Sequence, residues 1–234
     1  AGTIQVKSVG GDVTQAGSTA LTAANVKAVS DSNVLLTQTG NDATTIAASI
    51  TAANKAFSFT DTNAVAVGTV SVDGTLDGTN AQLGSVTGIT TKGNTGGTVT
   101  VTAGGQLDVN QAISTSAAAN TGLAGGAVLL KSSGVITTAA TNGTITTTGG
   151  TSNGTGGTGG AGGEVFIYST GAGAITLGAG ITAKGGDAAA VGDVNGSGAV
   201  VTVRNDSGAI TLHNITTAAG ASGTGAGTAG TIQV

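Results

Sequence analysis

The carboxylates are the residues of this sequence best suited to hydrolysis or elimination, but they are scattered. The chain has eleven Asp and Glu, and most stand at predicted turns, where a short acid bonds to the backbone. The best candidates for a catalytic group are Asp73 with Asp77, and Asp193 with the nearby Arg204 and Asp206. A turn or solvated position is favoured for both pairs. We therefore predict no catalytic residue.

The residues that could hold a metal ion or a cofactor are also isolated. His213 is the only histidine, and there is no cysteine. The stretch Asp193–Gly198 imitates the first six positions of a calcium loop, but position twelve would be Arg204 instead of the bidentate Glu. The Gly-rich stretch 149–163 precedes a strand-like segment, so no helix would present its N-terminus to a phosphate. We predict no metal and no cofactor.

Composition indicates a continuous hydrogen-bonded β-structure. The 234 residues include 44 Gly and no Pro, as expected where almost every backbone N–H is needed in a ladder. A flexible Gly-rich linker is the alternative, but the mean hydropathy of +0.30 and the alternation of Val and Ile with Thr oppose it. The net charge of −4, with isolated basic residues, argues against nucleic-acid binding. No apolar run is long enough to span a membrane.

A recurring triad, apolar-x-apolar after Gly or a small residue, sets the spacing of the strands. Its first residues are separated by 30, 23, 42, 29, 37, 36 and 31 positions, which total 228. Variable loops between constant strands suit the coils of a solenoid. We predict that the outer residues of each triad point inward and the middle residue outward. The triads begin at Ile4, Val34, Phe57, Val99, Val128, Val165, Val201 and Ile232.

Shorter strands follow the triads, such as 174–177 and 181–183 after Val165, or 209–212 and 215–216 after Val201. Two or three short strands per coil predict an all-β fold, a parallel β-helix of about seven coils per 228-residue period, with residues 1–234 forming one segment. A sandwich or barrel would need longer strands and more hairpins. Residues 65–74 give the single hairpin-like signal, interpreted as a local excursion.

An apolar patch is predicted on the outside of the solenoid. Phe166 and Tyr168 flank the inward residue Ile167, and Leu129 is the outward residue one coil earlier. A long loop such as 147–163 could cover these side chains. Alternatively, Leu129, Phe166 and Tyr168 form a lateral or ligand contact.

The two ends of the chain carry the same six residues. Positions 1–6 and 229–234 both read Ala-Gly-Thr-Ile-Gln-Val, which predicts one period of a longer tandem array. The expectation is that both hexapeptides occupy the same rung, one period apart. The coils expected to stack end to end on neighbouring repeats or identical subunits contain Ile4, Val6, Val201, Val203, Ile232 and Val234.

Several phrases resemble the repeats of filamentous-haemagglutinin-like exoproteins. They are Gly11-Asp-Val-Thr-Gln15, the stretch from Phe57 to Val70, Val86 to Thr91, Val99 to Gly105 and Leu107 to Ile113. The likeness is best over residues 11–113. It implies a right-handed parallel β-helix, export across the outer membrane by a partner transporter, and service as a giant surface or matrix adhesin.

The sequence therefore predicts a non-enzymatic shaft of an extracellular bacterial filament or adhesin, with secretion signals outside this segment. Cell-surface glycans or proteins are further expected partners. A carbohydrate-active β-helix enzyme is the alternative. An ice- or mineral-binding face is another, but the outward triad residues are too mixed in size and polarity for a regular Thr lattice there.

Overall fold

The structure is a computed structural model that describes residues 2–71, 83–95, 97–154 and 156–234. All of its regular elements are strands, because the alternation of β-branched and small residues satisfies a period of two and no segment has helical periodicity. Within the described ranges there is no helix with the length and apolarity needed to cross a bilayer. In chain order, the strands are β1 (Thr3–Ser8), β2 (Val13–Thr14), β3 (Thr22–Ser30), β4 (Val34–Leu36), β5 (Asp42–Ala53), β6 (Phe57–Asp61), β7 (Val65–Val67), β8 (Thr69–Val70), β9 (Val86–Thr87), β10 (Ile89–Lys92), β11 (Val99–Ala103), β12 (Leu107–Val109), β13 (Ile113–Ser114), β14 (Val128–Ser132), β15 (Ile136–Thr138), β16 (Ile145–Thr146), β17 (Val165–Ser169), β18 (Ile175–Leu177), β19 (Ile181–Thr182), β20 (Val201–Asn205), β21 (Ile210–Thr211), β22 (Ile215–Thr216) and β23 (Ile232–Gln233).

The strands form a parallel β-solenoid, as the sequence predicts. Sheet 1 has eight strands in the order β2-β4-β6-β11-β14-β17-β20-β23. Sheet 2 has thirteen strands. Each coil adds one strand to sheet 1 and then one or two to sheet 2, so neighbouring strands in a sheet come from successive coils.

Sheet 2 forks at the long strand β5. Thr45 and Ile46 pair with β7, whereas Ala48 and Ser49 pair with β10. The branch that starts at β7 continues through β12, β15, β18 and β21, and the other runs from β10 through β13, β16, β19 and β22. After the fork, each coil has one short strand in sheet 1 and two in sheet 2. The coils that contain β3 and β5 have a single long strand in sheet 2.

The hairpin excursion leaves the solenoid between the two branches. β8 and β9 pair antiparallel, and the predicted turn at Asp73 and Gly74 lies outside the described residues. Lys27 is fully buried and anchors the base of this excursion. Its Nζ donates to the carbonyl oxygens of Ser71, Leu83 and Gly84 at 3.1, 2.8 and 3.2 Å.

Triad register agrees with the prediction in sheet 1. Val99 and Val101 are fully buried, as are Val201 and Val203, whereas Thr100 between the first pair is only partly buried. Corresponding residues stack from coil to coil, for example Val128 on Val99 and Val165 on Val128. Each fully buried Val, Ile or Leu contributes roughly 1.5–3 kcal/mol, so stability grows with the number of stacked coils.

The first triad is an exception, and its predicted place is wrong. Ile4 and Val6 lie in β1, which pairs with β3 in sheet 2, whereas Ile232 pairs with Val201 in sheet 1. The first strand of sheet 1 is β2, where Val13 pairs with Val34. The two identical hexapeptides therefore occupy different rungs and different sheets here, because alternation alone does not specify which sheet a strand joins. That the chain is one period of an array stays a prediction.

Candidate functional site

The outer face of sheet 1 brings the predicted patch residues together. β14, β17 and β20 pair in register, so Leu129, Phe166 and Thr202 form one outward column. Two residues further along these strands, Lys131, Tyr168 and Arg204 form a second column. The residues between the two columns, Leu130, Ile167 and Val203, are fully buried, which fixes the side chains of both columns outward. We call the surface of these six outward residues together with Glu164 the patch.

The patch is ordered by aromatic and ionic contacts around Tyr168. Its ring centroid lies 5.7 Å from that of Phe166, with an interplanar angle of 34°. The Arg204 guanidinium carbon is 4.8 Å from the Tyr168 ring centroid, and Lys131 Nζ is 6.0 Å from it. Cations at these distances are attracted by the ring face. Tyr168 is therefore flanked by cations from both neighbouring coils.

Asp206 completes the group. Tyr168 donates from Oη to Asp206 Oδ2 at 2.6 Å, and Arg204 Nη2 donates to Asp206 Oδ1 at 2.9 Å. The hydrogen bond to the Asp206 carboxylate raises the pKa of Tyr168. The same bond, followed by the bond from Arg204, lowers the pKa of Asp206. The sequence analysis missed the Tyr168–Arg204 pair, although aligning the triads that begin at Val165 and Val201 places the two residues side by side.

A shallow groove of about 380 Å³ runs beside the patch, lined by Thr98, Thr100, Leu129, Glu164 and Phe166 among others. A second groove of about 280 Å³ shares Glu164 and continues along Ala161–Gly163. The loop predicted to cover the aromatic residues thus borders the patch at its end, and none of the loop residues that the structure describes lines the first groove. Phe166 and Leu129 remain half-buried.

Glycine-rich segments of successive coils form a second feature, which sequence reasoning missed. These segments connect sheet 2 back to sheet 1, for example between β16 and β17 and between β19 and β20, and their backbones bond to one another. Gly160 N donates to Gly150 O, Gly186 N to Gly160 O, and Gly196 N to Gly186 O, at 2.8 to 2.9 Å. A Cβ on Gly160 would lie 1.8 Å from Leu123 O. Only glycine permits backbones to approach this closely. We call these segments the glycine arms.

In four coils a threonine bonds the glycine at the point where the chain returns to sheet 1. Thr115 Oγ1 donates to Gly126 O at 2.5 Å, and Thr147 Oγ1 donates to Gly163 O at 2.6 Å. Both threonines are fully buried. Thr91 with Gly97, and Thr217 with Gly230, repeat the bond. In the coil with Ala183 and Ala199 at these two positions, only the backbone bond from Ala199 N to Ala183 O is formed, which the Thr115, Thr147 and Thr217 coils also have.

The acids considered for catalysis have structural partners. Asp193 is fully buried and accepts from Ser152 Oγ and from Gly157 N; the Ser152 bond is the main cause that lowers the pKa of Asp193. Asp206 bonds Tyr168 and Arg204 instead, so Asp193 and Asp206, weighed together as a weak catalytic candidate, share no partner. Asp73 and Asp77 lie outside the described residues.

The calcium-like stretch is occupied by internal bonds. Asn195 Oδ1 accepts from Ala188 N, and its Nδ2 donates to Gly225 O. Across the described ranges no group of three or more His, Asp or Glu is arranged to hold a metal. His213 is exposed at the edge of the last coil, and the preceding Leu212, predicted inward, is 41% exposed because no later strand of its branch covers it.

A hydroxyl column lies on the second branch of sheet 2. Ser49, Thr90, Ser114, Thr146, Thr182 and Thr216 occupy consecutive paired positions. Two residues further along the chain stand charged side chains at Lys92 and Lys184. The regular lattice expected of an ice-binding face would need a second hydroxyl column there, and the charges interrupt it.

In comparisons with protein-family models, curated proteins and solved structures, nothing matches this chain.

Proposed function

We propose that the chain is a non-enzymatic shaft of a long extracellular bacterial filament or surface adhesin, in which stacked coils give length and the outer faces make contacts. One observation carries the proposal: apart from the β8–β9 hairpin, every paired strand of the described chain belongs to a parallel ladder that advances coil by coil. Seven steps of sheet 1 at about 4.8 Å each make a rod segment roughly 34 Å long.

The distribution of polar groups supports a scaffold. Asp12 accepts from Asn33, Asp61 accepts from the amides of Ala43 and Asn63, and Asp187 pairs with Lys184 at 2.7 Å. These contacts fix turns between coils. Carboxylates bonded in this way stabilise the turns.

The proposal is tested with a chain of two periods, residues 1–234 followed directly by residues 7–234, which preserves the 228-residue spacing. Electron microscopy should show one straight rod that exceeds the single-period rod by about 34 Å. Its junction hexapeptide should join sheet 1, as β23 does. Two separate particles joined by a flexible segment would contradict the shaft.

The single 234-residue chain gives a second test. Ile232 and Val234 are 45% and 72% exposed, and exposed edges of stacked strands favour association. Sedimentation should therefore show oligomers that lengthen with concentration. For the surface location, antibodies against the chain should label intact producing cells.

A polysaccharide-cleaving enzyme is the function to be distinguished from the shaft. Incubation with acidic and neutral polysaccharides, followed by assay for new reducing or unsaturated ends, should give no product. Release of such ends, abolished by replacement of one acid, would overturn the non-enzymatic proposal.

A further inference from the structure

The patch carries two opposite charges on either side of an apolar column. Glu164 is exposed on the side that precedes the column of Leu129 and Phe166, and Lys131 is exposed on the side that follows it. Neither charge forms an ion pair with any described residue. Glu164 lies four positions before Tyr168, which pairs with Lys131. Along the strand direction, Glu164 and Lys131 are therefore about 13 Å apart.

The apolar column between these charges has no cover within the described chain. Leu129 and Phe166 are half-buried and line the groove of about 380 Å³. Large apolar side chains beside a groove, with polar residues at the rim, are typical of a surface that packs against a partner.

We propose that this patch pairs side by side with the same patch of a second copy of the chain, with the two solenoids parallel. The inference rests on the proposed shaft function, which it extends from single rods to paired rods. The two-fold axis runs along the solenoid over the column of Leu129, Phe166 and Thr202, so each residue of this column faces its own copy.

Charge complementarity selects the parallel arrangement. The two-fold axis exchanges the two outer columns, so Glu164 of one copy faces the level of Tyr168 of the other. Lys131 of that second copy lies in the coil before Tyr168, and its Arg204 lies in the coil after it. In an antiparallel pair centred on Phe166, Glu164 would meet Glu164 and Lys131 would meet Arg204. Like charges placed opposite each other disfavour an interface.

A charge-exchange experiment tests the partner. One chain carries Glu164→Lys, and a second carries Lys131→Glu with Arg204→Glu. Each variant alone places like charges in both halves of the pair, so sedimentation at low salt should show its lateral self-association weakened by at least about tenfold. Mixing the two variants makes both halves complementary, and heterodimers should form. A mixture that associates no better than its components would overturn the proposal.

Direction is tested with engineered thiols, which the absence of cysteine makes specific. Thr100 belongs to the apolar column, so Thr100→Cys should be joined to its own copy by a thiol crosslinker that spans the roughly 10 Å between packed sheets. In the antiparallel pair the same two thiols would be displaced by a further four coils, about 19 Å. Thr176→Cys, exposed on sheet 2, is the control and should not be crosslinked.

The outcomes separate this inference from the shaft. Oligomers that lengthen end to end without a Thr100→Cys crosslink would overturn lateral pairing and leave the shaft intact. Crosslinked pairs that never lengthen, together with two-period chains that form separate particles, would overturn the shaft and leave the pairing intact.

Discussion

Tyr168 donates a hydrogen bond to Asp206 across 38 positions of the chain, with 2.6 Å between Oη and Oδ2. The contact joins two successive coils on the outer face of sheet 1, because β17 and β20 pair in register. It holds the tyrosine ring between Lys131 and Arg204 and thereby fixes the shape of the patch.

The first prediction concerns the titration of this tyrosine. Tyr168 is the only tyrosine and there is no tryptophan, so tyrosinate absorbance reports Tyr168 alone. Because the carboxylate of Asp206 raises its pKa, we expect ionisation above the ordinary value of 10.0. Asp206→Asn should lower this pKa, whereas Asp187→Asn, in a glycine arm, should leave it unchanged. Equal titration curves for wild type and Asp206→Asn would contradict the hydrogen bond.

The pH range of this bond follows from both partners. The pKa of Tyr168 is raised, so the stabilisation is complete below its ordinary pKa and is lost as the pH rises through the folded value. The pKa of Asp206 is lowered, so the stabilisation is complete above the ordinary pKa of Asp, 3.8, and is lost as the pH falls through the folded value. The Tyr168–Asp206 hydrogen bond is thus present across the neutral range.

A second prediction tests the register of the coils with two neighbouring residues of β11. Val101 is fully buried, and Val101→Asp would place an unpaired charge among the stacked apolar columns, at a cost of about several kcal/mol. Thr102 points outward beside Lys131, so Thr102→Asp should change the free energy of unfolding by less than about 1 kcal/mol. Chemical denaturation measures both, and equal losses would contradict the register.

A third prediction addresses the threonine that closes a glycine arm. Thr147→Val keeps the shape of the side chain but leaves the buried carbonyl of Gly163 without its donor, which should cost about 1–3 kcal/mol. Thr146→Val, one residue earlier and half-buried on the outer face, is the matched control and should be nearly neutral. If the two variants unfold at the same denaturant concentration, the Thr147 bond contributes nothing to stability.

The sequence predicts the solenoid and the place of most triads, but few of the contacts made by its loops and buried polar side chains. The triads from Val34 to Ile232 align in sheet 1 as predicted, because each has apolar residues at both of its outer positions. Phe166 and Leu129 could be placed side by side for the same reason. The hexapeptide at Ile4 could not, because Ile-Gln-Val alternates equally well in either sheet, and only its contacts with β3 decide.

The contacts of the Gly-rich segments and of Lys27 could not be predicted from the sequence. Gly-rich stretches such as 149–163 have no side-chain pattern, so neither their close stacking nor the partner of Thr147 can be read from the chain. Lys27 looks like one more isolated basic residue, since its partners Ser71, Leu83 and Gly84 are 44 to 57 positions away. Contacts of this kind depend on how an excursion folds back, which local periodicity does not encode.

The last prediction tests whether close approach, and not flexibility, explains the glycine arms. In Gly160→Ala, the new methyl group would lie 1.8 Å from the carbonyl oxygen of Leu123, and the two backbones would have to separate. Because Gly150, Gly160 and Gly186 are joined by successive backbone hydrogen bonds, the displacement would weaken bonds in two neighbouring coils. We expect a loss of at least about 2 kcal/mol of unfolding free energy.

Gly17 is the control position, because it has an ordinary backbone conformation and no atom within 4 Å of an added Cβ. Gly17→Ala should therefore leave stability unchanged or raise it by about 0.4–1 kcal/mol. Similar stability for the two variants would show that the arms are loosely packed loops instead of stacked backbones.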